Sequence, residues 1–213
     1  MKYRDERQEM VTFGKKMMEE RLTTGTGGNL SLFIPEDECF LISPSGVPYH
    51  ETELEDIVVV DLEGKVIDGK SKPSSEIAMH QIFYQNNPAV RAVVHTHSEY
   101  ATTFACLRES IQPLHYIIAS VGEEIRCSGY ETYGTEALAK EAYRTMQKDT
   151  GILLANHGVL TVGESLSEAF SVAKDIEFVA KLYYRARAIG KPVMLSTAEI
   201  EETMKKFGSY GQG

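Results

Sequence analysis

The sequence predicts a single α/β domain in which a mainly antiparallel sheet is covered by helices. Three observations carry that expectation. Short apolar runs pair off as hairpins, Leu30 to Ile34 with Cys39 to Ile42 across Pro35-Glu36-Asp37, and Val58 to Leu62 with Lys65 to Asp68 across Glu63-Gly64. Helix-period segments are interleaved with these and further strands. The Gly-rich stretch Gly25-Thr26-Gly27-Gly28-Asn29 follows a helix and precedes a strand, the reverse of the order in a doubly wound nucleotide fold.

The elements follow in order. Tyr3 to Leu22 reads as an amphipathic helix, because Met10, Val11, Met17, Met18 and Leu22 recur at helical spacing. The Gly-rich loop ends it and the two hairpins follow. Ser74-Ser75 opens a helix that runs to about Asn87 and is stopped by Pro88. Val90 to His97 is a strand, and Glu99 to Leu107 and Thr135 to Gln147 are helices. Gly151 to Ala155 and Val159 to Val162 are strands on either side of Asn156-His157-Gly158. The longest helix spans Ser167 to Ile189; Ser165 with Glu168 has capping-box spacing, and Gly190 and Pro192 close it. Ala198 to Phe207 is a last short helix before the tail Gly208 to Gly213. No repeat or linker divides the chain, so residues 1–213 are expected to form one domain.

Composition narrows the function. A chain of 213 residues suffices for one well-cored domain and is short for two. The net charge of -9, with no basic run, disfavours nucleic acid and anionic membranes as partners. The same field repels a phosphate ester, which therefore needs a local cradle of metal, backbone N–H groups or a few cations. The longest apolar-looking run, Gly151 to Gly163, is interrupted by Asn156 and His157 and is too short to span a bilayer. The N-terminus is charged where a signal peptide needs an apolar core, and the three cysteines are odd in number and widely spaced. A reducing cytoplasm is the expected location.

The most informative segment is Ala92-Val93-Val94-His95-Thr96-His97. On a strand, residues two apart face the same way, roughly 6.5–7 Å apart at Cα. Two imidazoles so placed can converge on one ion, or simply form a partly buried polar pair. His157 lies in a tight turn between two apolar strands, where a histidine is costly without a partner. Gly158 beside it allows close backbone approach or positive φ. Three such histidines with an open fourth position make a Lewis-acid site. His50, His80 and His115 read instead as surface or hydrogen-bonding histidines.

Glu76 has two readings, a first-turn carboxylate that complements the helix dipole or a general base near the metal. Ser74 and Ser75 read first as N-caps, and also as hydroxyls of a phosphate site at a helix start. The loop ending at Asn29 and the turn Ser43-Pro44-Ser45-Gly46 are further sources of N–H groups. Nothing in the spacing says that these segments meet in space.

Taken together, the motifs resemble those of the class II aldolase/adducin family, and within it the branch that cleaves L-fuculose 1-phosphate. The matching segments are Gly27-Gly28-Asn29-Leu30-Ser31, Ser43 to Tyr49, Lys72-Pro73-Ser74-Ser75-Glu76, His95-Thr96-His97, His115-Tyr116, Tyr133-Gly134-Thr135, Asn156-His157-Gly158 and Lys206 to Gly211. They span nearly the whole chain. The resemblance implies a single three-layer domain with a mobile tail at 208–213. It implies one zinc per chain, held by His95, His97 and His157, with Glu76 a fourth ligand that moves aside to carry a proton. Phosphate would be held by Gly28, Asn29, Ser45, Gly46, Ser74 and Ser75, with Thr26 lining the same loop. Tyr116 would reach a neighbouring subunit's site in a fourfold homotetramer with sites at subunit boundaries, and Tyr210 would close over the substrate. Tyr133 departs from the phenylalanine expected in that branch and bears on aldehyde preference.

The implied reaction is reversible cleavage of L-fuculose 1-phosphate to dihydroxyacetone phosphate and L-lactaldehyde. No lysine sits in an apolar strand, which disfavours a Schiff-base aldolase. The alternatives are relatives sharing the metal site, such as L-ribulose-5-phosphate 4-epimerase or rhamnulose-1-phosphate aldolase, and a non-catalytic adducin-type structural module.

Overall fold

A computed structural model describes residues 1–207. A seven-stranded sheet lies at its centre. Its strands are β1 (Asn29–Ile34), β2 (Cys39–Ile42), β3 (Val58–Asp61), β4 (Val66–Asp68), β5 (Ala92–Thr96), β6 (Gly151–Leu154) and β7 (Gly158–Gly163). They are ordered β4-β3-β2-β1-β5-β7-β6, and every neighbouring pair is antiparallel. The helices are α1 (Arg4–Glu19), α2 (Ile77–Asn86), α3 (Glu99–Leu107), α4 (Glu136–Met146), α5 (Leu166–Ile189) and α6 (Thr197–Phe207).

Side-chain alternation splits the core into two layers. On one face, Phe40, Val58, Val60, Val93 and Leu160 pack with Met79 and Phe83 of α2 and Leu138 and Ala142 of α4. On the other, Leu30, Leu41, Val59 and Val94 meet Met10 and Met17 of α1 and Phe170 and Ala173 of α5. Further along that second face, Leu153 and Val159 pack on Phe104 of α3 and Ile176 and Val179 of α5. The result is the expected three-layer α/β domain with an antiparallel sheet.

Several element boundaries shift. The first helix ends at Glu19 rather than Leu22, because Arg21 takes a left-handed conformation and the Leu22 N–H bonds back to Met17 O. Helix α2 begins at Ile77, not at the serines. Glu76 is its N-cap residue, and the Ser74 hydroxyl accepts instead from the Glu76 N–H at 3.3 Å. The serines therefore do not cap α2 in the expected way, and the chain before the helix stays a turn that exposes them to the cavity described below. Strand β5 stops at Thr96, which puts His97 one residue past its end. At α5 the capping box forms only by half. Ser165 accepts from the Glu168 N–H, whereas the Glu168 carboxylate takes the Glu164 N–H rather than that of Ser165.

Candidate active site

Period-two alternation brings polar residues onto the α2 face of the sheet. In β5, Ala92 and Val94 point to the α1/α5 layer, so Val93 and His95 point to α2. In β1, Leu30 faces α1, so Asn29 and Ser31 face α2. Antiparallel pairing sets Asn29 directly opposite His95. The β6–β7 turn then carries His157 to the same place.

The three histidines converge. Their ring nitrogens lie within 4.8 Å of one another, a grouping that could hold a metal ion. His97 Nε2 is 2.9 Å from His95 Nε2. Glu76 reaches both sides of the cluster, with Oε2 3.3 Å from His95 Nε2 and Oε1 3.4 Å from His157 Nε2. Bonds of about 2.0–2.1 Å to one tetrahedral ion imply donor separations of roughly 3.3 Å, close to these values. The Nδ1 of His95 is 2.8 Å from the Val159 carbonyl, which can only accept, so Nδ1 carries the proton and Nε2 offers its lone pair. Glu76 Oε1 and His157 Nδ1 are buried without any hydrogen-bond partner. An orphaned buried carboxylate oxygen beside a ring of imidazoles fits a bound cation.

Electrostatics supports the same fit. Burial, then the neighbouring His97 and His157, hold His95 well below the usual imidazole range. Burial followed by His157 lowers His97, and burial lowers His157 against the opposing pull of Glu76. The rings are therefore neutral, which is the form that ligates a metal.

Two glycines make the approach possible. Gly28 has φ +70°, and a Cβ there would sit 2.5 Å from the His95 carbonyl. At Gly158 a Cβ would run into the Thr96 carbonyl and lie 2.9 Å from His97 Cδ2. Of the two possible reasons for Gly158, close approach is the operative one; positive φ falls instead on Asn156, at +54°.

A cavity of about 380 Å³ opens over this cluster. Its walls gather Thr26, Gly28, Asn29, Ser45, Gly46, Ser74, Ser75, Glu76, His97 and His157 from the expected site, and His95, at 0% exposure, touches the lining residues His97 and Glu76. What joins the separate turns is backbone pairing. The Ser45 N–H donates to Lys72 O at 2.9 Å, and the Ser74 N–H donates to Ser43 O at 3.1 Å. Tyr49 OH donates to Gly28 O at 2.9 Å and pins the Gly-rich loop alongside. Among the described residues no lysine or arginine lines the cavity. An anion there must be met by hydroxyls, N–H groups and the start of α2.

The structure does not bring every expected residue together. Tyr116 lies away from this cavity, on a 3-10 turn at Tyr116–Ser120, with its ring against His115 and Phe207 and 52% exposed. Tyr210 lies outside the described residues. The structure also adds residues that no sequence signal marked. Tyr130 and Glu131 join Tyr133 on the cavity rim, and the Arg108 side chain donates to Asn156 Oδ1 at 2.8 Å. They sit in irregular loops, where neither periodicity nor motif points to them.

The fold and the histidine–carboxylate cavity define a class of protein, and similarity to known chains agrees. The family described as the class II aldolase and adducin N-terminal domain matches residues 8–184, and the chain belongs to it. Within that family it is a class II aldolase, a carbon–carbon lyase of the fuculose-phosphate aldolase group. A 5-deoxy-D-ribulose 1-phosphate aldolase from Bacillus thuringiensis serovar kurstaki is 47% identical over 207 residues, covering 97% of each chain. The L-fuculose phosphate aldolase of Escherichia coli K12 is 37% identical over 192 residues, covering 89% of this chain and 88% of its own. A solved structure named L-fuculose 1-phosphate aldolase superposes with a TM-score of 0.95 at 43% identity, covering 98% of each chain. Class II aldolases depend on a metal, and the chain's family implies a phosphorylated sugar as substrate. No helix among the described residues is long and apolar enough to cross a membrane.

Proposed function

We propose that the chain catalyses reversible aldol cleavage of a terminally deoxygenated ketose 1-phosphate, giving dihydroxyacetone phosphate and a short aldehyde. One observation carries this reading: neutral imidazoles, a carboxylate with a spare oxygen and two tied serine turns share one cavity. A divalent ion held by His95, His97 and His157, zinc by the donor set and one per chain, supplies Lewis-acid stabilisation of the charge that develops on the substrate oxygens.

The remaining roles belong to the chain. Glu76 would complete the ligand set of such an ion, and it carries the proton. In cleavage the bond between C3 and C4 breaks, its electron pair stays with the dihydroxyacetone phosphate half, and Glu76 delivers a proton to C3. Oε2 is held by the Asn29 amide at 2.8 Å, while Oε1 accepts no hydrogen bond. Asn29, Ser45, Gly46, Ser74 and Ser75, with Gly28, hold the phosphate. The C4 hydroxyl loses its proton as it becomes the aldehyde oxygen; Tyr116 of a neighbouring subunit relays that proton to solvent in a homotetramer, and solvent restores to Glu76 the proton given to C3. Its exposure and its distance from its own cavity support service to another subunit's site, and Tyr210 closes over the substrate.

Two substrates are favoured by particular relatives. Both end in a methyl group and share the dihydroxyacetone phosphate half. 5-Deoxy-D-ribulose 1-phosphate, which would release acetaldehyde, is favoured by the relative at 47% identity. L-Fuculose 1-phosphate, which releases L-lactaldehyde, is favoured by the structure with TM-score 0.95. A cytoplasmic location fits either. The test is condensation of dihydroxyacetone phosphate with acetaldehyde and with L-lactaldehyde, comparing kcat/KM. Turnover of neither aldehyde contradicts the proposal.

The shared site has its own test. Tyr116→Phe and His97→Ala chains, each defective alone, are co-expressed in equal amounts. About a quarter of boundaries in random rings then combine intact metal ligands with an intact tyrosine. Activity above both parents is expected; no gain in rings confirmed by mass assigns Tyr116 to its own chain or to no site.

A further inference from the structure

We propose that His80 is a positioning residue for this reaction, fixing from inside the core which way the Asn29 amide faces and so holding Glu76 with one oxygen engaged and one free. The inference rests on the reading of Glu76 as proton carrier, and it concerns a histidine outside the metal cluster.

The arrangement begins with two periodicities. Strand β1 places Asn29 and Ser31, two residues apart, on one face. Helix α2 presents His80 and Tyr84, four apart, with Glu76 one turn before them. The stripes interlock into one chain of hydrogen bonds. The Tyr84 hydroxyl is 2.5 Å from Ser31 Oγ. Ser31 Oγ is 2.7 Å from His80 Nδ1, and His80 Nε2 is 2.5 Å from Asn29 Oδ1. Asn29 Nδ2 is 2.8 Å from Glu76 Oε2. Ser31 and His80 are 0% exposed and Asn29 is 4% exposed.

The chemistry allows the chain only one direction. The Asn29 NH2 group donates to Glu76 Oε2, leaving its carbonyl oxygen to accept. Its carbonyl oxygen then faces His80 Nε2, which must carry the proton. Burial pushes the His80 ring down to about 3, so it is neutral and has only one N–H. Nδ1 is consequently bare and accepts from Ser31, whose oxygen accepts in turn from Tyr84. With the other tautomer, the Asn29 amide would flip and set its oxygen against the Glu76 carboxylate. The Glu76 arm would then lose its anchor and be repelled. Each buried member is satisfied only when all point the same way.

The experiment compares two polar replacements that reach different places. In His80→Gln the amide nitrogen reaches the position of Nε2; in His80→Asn it reaches only that of Nδ1. The readouts are zinc content, affinity for inorganic phosphate, and kcat and KM for proton exchange on dihydroxyacetone phosphate. His80→Gln should keep kcat within about threefold of wild type, while His80→Asn should lose about tenfold or more. Zinc content should be unchanged in both, because His95, His97 and His157 remain, whereas phosphate affinity and KM should change only in His80→Asn, which turns the Asn29 amide. Nitrogen resonances of the ring in the unsubstituted protein should show a protonated Nε2 and a bare Nδ1. Equal kcat in the two variants, or a ring protonated at Nδ1, overturns the inference. If either variant does not fold, the ring resonances decide alone. Wild-type exchange in Glu76→Gln would remove the reading of Glu76 itself. Collapsed exchange there, with equal kcat in the two His80 variants, would remove only the positioning role.

Discussion

Two polar clusters in this molecule are both buried and differ in satisfaction. Near the β4 edge, Arg7 is 1% exposed, yet four of its five N–H donors are used. Its guanidinium donates to the carbonyls of Lys2, Leu54 and Ile57 and to the Asp68 carboxylate, which is itself half exposed. At the other cluster, three imidazoles crowd one carboxylate, and Glu76 Oε1 and His157 Nδ1 make no hydrogen bond. Burial alone therefore does not mark function. A satisfied cluster fastens α1 to the sheet edge, and an unsatisfied one is set up for a guest.

Substitution should separate the two clusters. The largest effect is expected at Glu76→Gln, which keeps size and removes the base. Exchange of the dihydroxyacetone phosphate proton should fall at least ~10²-fold. The thermal midpoint should hold or rise, since a buried charge is removed. Near-normal exchange would return Glu76 to the class of Arg7.

Arg7→Leu should do the converse. Its carbonyl partners lose their donors inside the core, and chemical denaturation should show a loss of about 2–3 kcal/mol. Turnover per folded molecule should match wild type. A variant of full stability and reduced kcat would erase the contrast.

A smaller effect is expected at Ser75→Ala. This hydroxyl lines the cavity and is not the one that accepts from the Glu76 N–H, which is Ser74. KM for the sugar phosphate should rise about tenfold through loss of a charge-assisted bond, with metal content unchanged. If inorganic phosphate binds the variant as tightly as wild type, Ser75 is a turn residue only.

The same contrast explains what was legible in the sequence. Strand alternation exposed His95 and His97, and the apolar runs around Asn156-His157-Gly158 exposed His157, because period-two pattern carries over directly into facing. Strands β1 and β2 lie where their apolar runs put them. The N-cap reading of Ser74 differs from the structure because its hydroxyl caps a turn before the helix rather than the helix. His80 read only as a surface or hydrogen-bonding histidine, since its partners Ser31 and Asn29 lie about fifty residues away on another element. Arg7 was invisible for the same reason, as its acceptors are carbonyls of distant turns. The meeting of the 43–46 and 72–75 turns depends on backbone pairing that no residue type signals.

The central claim is that the histidine cluster with Glu76 takes a proton from dihydroxyacetone phosphate in a metal-dependent way. The direct measurement is exchange of that proton in deuterated water, without any aldehyde, by the intact, chelated and zinc-reloaded protein. The account predicts about one zinc per chain, exchange at a single position, its loss on chelation and its return with zinc. Full-rate exchange by metal-free protein would contradict it.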